Sequence, residues 1–218
     1  MAKNRWFMYH ISNVLTILRV VVVPFFIMAA LGEGAASGWA ALVLFGFAAL
    51  SDYFDGLCAR RLGIHTRFGE FADPLADKIL VGAAFISFAL MPVVRVAFWI
   101  VAVILLREIF VTLMRIVGLN RNKPMKTEYS GKIKTAFQMF TISIILIILL
   151  VYKINLPAGP MSGYEQGMSF WSSVSGNTLA VVMVNLPLVL VCVSAVLAFF
   201  SMVQYTLKNR HLFSSRKQ

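Results

Sequence analysis

The chain alternates long apolar runs with short polar breaks. Crossing a hydrocarbon core of about 30 Å takes roughly 20 helical residues. Six runs reach that scale, at about residues 13–31, 37–60, 69–91, 94–117, 132–152 and 179–206. Polar residues inside these runs fall on stripes. At 100° per residue, Asn13, Thr16 and Arg19 occupy an arc of about 120°. Arg107, Glu108, Thr112 and Arg115 fit within about 140° on the fourth run. On the fifth, Gly131, Lys134, Thr135, Gln138 and Thr141 share one stripe, and Lys132 points away from it. A polar stripe on a membrane helix faces a cavity or a partner rather than lipid. The pattern predicts an all-α, polytopic membrane fold of six transmembrane helices around a polar cavity. Residues 1–12, with Lys3, Arg5, Trp6, Phe7 and Tyr9, read as a short N-terminal interfacial helix. The helical domain then covers 13–206, and 207–218 is a basic tail. Residues 153–178 mix Gly, Ser, Pro and aromatics and read as an outer loop without a motif.

Composition agrees with this pattern. The chain has 218 residues, of which 60% are hydrophobic and only 13% charged. A net charge of +11 raises the question of nucleic acid, but its distribution argues against such a partner. The basic residues gather at Lys3 and Arg5, at Arg60, Arg61 and Arg67, between Arg115 and Lys134, and from Lys208 to Lys217. With six spans all of these lie on one side, and only Arg95 and Lys153 sit near the loops of the other. By the positive-inside rule the cavity and both termini face the cytoplasm. Basic juxtamembrane segments also attract anionic membrane lipids. A cleaved leader is not expected, because the first apolar run is too long and lacks a small-residue cleavage site. Cys58 and Cys192 lie in apolar runs and read as small hydrophobes.

Candidate chemistry concentrates in Asp52–Asp77, which holds five of the nine acidic residues. Asp52 and Asp55 are three apart and share a face of one helix. Asp73 and Asp77 are four apart on the next, with Gly69 one turn before Asp73 and Ala59 one turn after Asp55. The basic segment from Arg61 to Arg67 can turn the chain back and bring the four carboxylates together. A charge at the bilayer centre costs about 2.5–3.5 kcal/mol on insertion scales, and clustered carboxylates repel. Two divalent cations would balance the four charges. Carboxylate oxygens suit Mg²⁺ or Mn²⁺, and no Cys/His cluster suggests zinc. Helix caps or pairs with Arg60, Arg61 and Lys78 are the plainer reading of the same residues.

The spacing Asp52-x2-Asp55-Gly56-x2-Ala59-Arg60-x8-Gly69-x3-Asp73-x3-Asp77 resembles, at all eight positions, the signature of the CDP-alcohol phosphotransferases. These are integral membrane enzymes of phospholipid synthesis. The resemblance implies two divalent ions held by Asp52, Asp55, Asp73 and Asp77. It implies that Asp52, Gly56, Ala59, Arg60 and Gly69 surround the cytidine diphosphate, and that Asp77 is the general base. Flanking residues are similar to the branch that moves a phosphatidyl group from CDP-diacylglycerol to sn-glycerol 3-phosphate. They are Asn13, Thr16 and Arg19 with Pro24, Arg107-Glu108 with Arg115, and Gly131-Lys132 with Lys134, Thr135 and Gln138. For that branch, Arg107, Arg115 and Lys134 would bind the acceptor phosphate, and Asn13, Thr16, Arg19 and Gln138 would wall the site. The resemblance also implies a homodimer in the bacterial inner membrane.

The aspartates alone leave other readings open. A sibling enzyme using inositol phosphate, serine or phosphatidylglycerol would share them, and a transporter also places carboxylates in spans. The cations favour an anionic acceptor, since arginine grips phosphate bidentately and lysine adds a point charge. An Asp77→Asn substitution keeps the shape of the side chain and removes its basicity. It is expected to lower kcat by about 10²–10⁴-fold. Calorimetric binding of CDP with Mg²⁺ should survive, and loss of both would make Asp77 chiefly a ligand.

Overall fold

The computed structural model describes the backbone of residues 2–62, 67–120, 129–155 and 163–209. Side chains are described over 17–51, 76, 78–114, 116, 118, 131–155, 168–170, 172–173 and 181–209. Among these residues all regular structure is helical. The elements are α1 (Ala2–Leu31), α2 (Gly34–Leu62), α3 (Arg67–Leu90), a 3-10 turn (Pro92–Val94), α4 (Phe98–Asn120), α5 (Tyr129–Asn155) and α6 (Gly163–Lys208). Among the described residues three stretches are long and apolar enough to cross a membrane, Gly34–Ser51, Gly131–Asn155 and Val181–Lys208. The described parts of α1 and α3 that are apolar, Ile17–Leu31 and Lys78–Leu90, are shorter.

Two boundaries differ from the sequence reading. Residues 2–12 do not form a helix of their own. They continue unbroken into α1, because no proline or glycine intervenes before Pro24. The stretch read as an outer loop is largely helical, since α6 begins at Gly163 and runs through Pro187. Its Ser and Gly residues lower helix propensity by at most about 1 kcal/mol each, and no proline lies between Gly163 and Pro187 to stop it. Residues 156–162, the loop 63–66 and the connection 121–128 lie outside the described residues, as does the tail beyond Asn209.

The chain divides into two compact units, residues 1–91 with 145–162 and residues 92–144 with 163–218. In the first, α1 packs against both α2 and α3. Val22, Val23, Phe26 and Ala30 form the buried face of α1, and Ala41, Phe45 and Ala48 that of α2. The Phe26 and Phe45 rings meet with centroids 6.0 Å apart. Leu80, Ala84, Phe85 and Phe88 fill the α3 side. Small residues on α2 let the helices approach closely, as apolar helices in lipid require. Gly38 is the tightest point. A Cβ there would stand 2.9 Å from Leu150 Cδ1 and 3.2 Å from Lys153 Cδ.

Lys153 lies in the last turn of α5, near the loop as expected, but its side chain is buried. Its ammonium donates to the carbonyls of Ala30 (2.8 Å) and Ala29 (3.3 Å), and to Ser37 Oγ (3.1 Å). The last carbonyls of a helix have no partner within it and carry partial negative charge. Lys153 therefore closes the end of α1 and ties it to the start of α2.

In the second unit α6 packs on α4 and on the 3-10 turn. The buried positions Val184, Pro187, Val191, Ser194, Ala198, Ser201 and Tyr205 alternate by three and four. That spacing keeps one seam of α6 against its partner. Ile100, Val101, Ile104, Val111 and Met114 supply the buried face of α4. Before α4, Arg95 takes the left-handed conformation (φ 53°) and its amide donates to the Pro92 carbonyl, closing the turn.

Lys153→Met keeps most of the stem and removes the three donors. Hydrogen bonds from a charged group are worth about 1.5–3 kcal/mol. A loss of that size is expected in detergent unfolding, and an unchanged midpoint would show that the freed carbonyls find water.

Candidate active site

The acidic signature divides between two helices. Asp52, Asp55, Gly56, Ala59 and Arg60 lie on α2, and Gly69, Asp73 and Asp77 on α3. These two helices contact each other within the first unit. The spacings of three and four therefore hold on continuous helical backbone. The side chains of all eight lie outside the described residues, as do those of Asn13 and Thr16 on α1 and of Arg115 on α4. Among the described residues no group of three potential metal ligands occurs. Arg19, also on α1, is almost fully buried.

A second polar cluster lies wholly within α4, α5 and α6. Arg107 and Glu108 are adjacent on α4, and both are buried. Arg107 Nη1 donates to Glu108 Oε2 at 3.3 Å and to Oε1 at 3.4 Å. Its Nη2 donates to Ser201 Oγ on α6 at 2.7 Å. From α5, Lys134 Nζ donates to Glu108 Oε1. Lys134 is 3% exposed, whereas the neighbouring Lys132 faces out. One carboxylate thus stands between two cations.

Seven residues along α5 from Lys134, Thr141 meets Ser194 of α6 at 3.2 Å. Seven residues from Ser194, Ser201 meets Arg107. The two levels are two helical turns apart on both helices and run in opposite chain directions. Gln138 lies between the levels on α5, 1% exposed.

Two buried donors in this cluster, Arg107 Nε and Gln138 Nε2, have no hydrogen-bond partner. A buried donor left unpaired costs about 1–3 kcal/mol. Idle guanidinium and amide donors are the arrangement an anion would satisfy. A dianionic phosphate is suited to guanidinium, ammonium and amide N–H groups at once.

Ser194, Ser201 and Tyr205 were not visible as site residues from sequence, because α6 has few polar groups overall. The signal that could have found them is positional. They fall on the seam of threes and fours, where a hydroxyl in an otherwise apolar helix must find a partner.

The family model for CDP-alcohol phosphatidyltransferases matches residues 9–208. The chain belongs to that family. A Mycobacterium tuberculosis (strain H37Rv) protein named probable phosphatidylglycerophosphate synthase is 36% identical over 143 residues, covering 64% of this chain and 67% of its own. The Escherichia coli (strain K12) CDP-diacylglycerol–glycerol-3-phosphate 3-phosphatidyltransferase is 34% identical over 143 residues, covering 63% and 77%. The family match takes in both the acidic signature and the α4–α5–α6 cluster.

Removing one partner of a buried ion pair costs about 3–5 kcal/mol, because the other charge is left uncompensated. Glu108→Gln should therefore lower the unfolding midpoint strongly. Ser201→Ala should cost less, about 1.5–3 kcal/mol. Equal midpoints for Glu108→Gln and the wild type would show that Glu108 is not the counter-ion.

Proposed function

We propose that this chain transfers a phosphatidyl group from CDP-diacylglycerol to sn-glycerol 3-phosphate, releasing CMP. The observation that carries the choice of acceptor is the buried Arg107–Glu108–Lys134 cluster, where the Arg107 Nε and Gln138 Nε2 donors are idle. An uncharged acceptor would offer those donors no anionic oxygen. The names of the two relatives agree with the same reaction.

In this reading Asp52, Asp55, Asp73 and Asp77 hold two Mg²⁺ or Mn²⁺ ions. Their donor set fits, being four hard oxygen ligands at helical spacings on two helices in contact. When bound, the ions neutralise charge on the diphosphate and on the departing phosphate. Gly56, Ala59 and Gly69 give the cytidine diphosphate close access to backbone, and Arg60 adds a positive charge beside it. Asn13, Thr16, Arg19 and Gln138 wall the site. Arg107, Lys134 and Arg115 take the acceptor phosphate, with Glu108 orienting the first two. Asp77 accepts the proton of the acceptor hydroxyl. The hydroxyl oxygen bonds to the phosphorus that carries the diacylglycerol, and the bond from that phosphorus to CMP breaks. CMP leaves with the electron pair.

The setting is a bacterial inner membrane, with six spans around a cytoplasm-facing cavity and both termini inside. The functional domain covers 13–206, preceded by an interfacial segment at 1–12 and followed by a basic tail at 207–218. The tail favours anionic lipid, and the assembly is a homodimer. The charge asymmetry and the apolar helices support this topology.

Purified protein with CDP-diacylglycerol and glycerol 3-phosphate is expected to release CMP. EDTA should abolish the release and Mg²⁺ should restore it. Release that persists without metal would overturn the metal reading. Release that needs serine or inositol phosphate instead would overturn the acceptor.

A further inference from the structure

We infer that the last turns of α6 read the hydroxyl groups of the acceptor, with Tyr205 Oη and Asn209 Oδ1 as the reading atoms. The inference rests on the phosphate-bearing acceptor proposed above and adds the part of that molecule that is not phosphate.

Ser201, Tyr205 and Asn209 follow one another at intervals of four, so they share a face of the helix end. Ser201 already touches Arg107. Tyr205 lies one turn farther along, a rise of about 6 Å. Tyr205 is 4% exposed and Asn209 fully buried, yet Tyr205 Oη and Asn209 Oδ1 have no hydrogen-bond partner. Asn209 is held in place from its other side. Its backbone N–H (3.1 Å) and its Nδ2 (2.9 Å) both donate to the Tyr205 carbonyl. That bond also settles which amide atom is the oxygen, since a carbonyl accepts only from nitrogen.

The idle atoms sort by chemistry. Arg107 Nε and Gln138 Nε2 only donate, which suits phosphate oxygens. Asn209 Oδ1 only accepts and would repel a phosphate oxygen, and Tyr205 Oη does both. Both of the latter suit a hydroxyl. The ligand class is therefore a polyol phosphate, with its phosphate at Arg107 and Lys134 and a free hydroxyl at Tyr205. A site built to bond a hydroxyl rejects the analogue that lacks it, because its own polar groups are then left unpaired.

The experiment compares glycerol 3-phosphate with 3-hydroxypropyl phosphate, which keeps the phosphate and the terminal hydroxyl and lacks the middle one. Both are assayed by CMP release with the wild type and with Tyr205→Phe. The variant is expected to lose roughly tenfold in kcat/KM for glycerol 3-phosphate and less than twofold for the analogue. KM for CDP-diacylglycerol should not change, and Tm should stay level or rise, because no internal bond is lost. An equal preference ratio in the two proteins would overturn this inference and leave the acceptor reading standing. A variant that unfolds would give the hydroxyl a structural partner and overturn it too. A wild type that cannot use glycerol 3-phosphate would overturn the acceptor reading first, and this inference with it.

Discussion

Charge balance among packed helices is the constraint on which the second unit depends. Glu108 stands beside Arg107 and receives Lys134 from another helix. An unpaired charge in an apolar bundle is costly, so each member requires the others. The triad therefore ties α5 to α4, and the Arg107–Ser201 bond ties α6 to the same point. The cohesion of the second unit therefore gathers at one cluster.

The first unit solves a similar problem with backbone instead of carboxylate. Lys153 spends its ammonium protons on the carbonyl end of α1 and on Ser37. No acidic partner is needed, since the helix end supplies the negative pole. Lysine does here, with carbonyls, what an ion pair does in the second unit. Gly38 makes this arrangement sterically feasible, because α2 must pass close to the stem of Lys153.

Much of this was legible in the residues. Hydropathy placed α2, α3, α4 and α5 within a few positions of their observed ends, because each apolar run is bounded by charge or proline. The polar stripe of α5 correctly separated Lys134 from Lys132, since helical periodicity alone decides which of two nearby residues faces in. The unread parts depend on partners distant in sequence. Arg107 and Ser201 are separated by 94 residues, and no local pattern joins them. Lys153 finds α1 over a separation of 123. The start of α6 was misread because Ser, Gly and aromatics resemble a loop in composition, while only a proline would have forbidden the helix.

The 46 residues of α6 have a consequence for how far the chain reaches. At 1.5 Å per residue a straight helix of that length extends about 69 Å, more than twice the hydrocarbon thickness. Its apolar part, Val181–Lys208, is enough by itself to cross, with tilt. A straight helix of 46 residues therefore has more length than one crossing needs. Pro187 lacks the amide that would bond the Met183 carbonyl, so the helix has a point inside it where a bend is cheapest. The helix that holds Arg107 toward its C-terminal end thus has about 39 Å to spare over a slab of about 30 Å, and that excess has to be taken up by tilt, by a bend or by reach beyond the hydrocarbon.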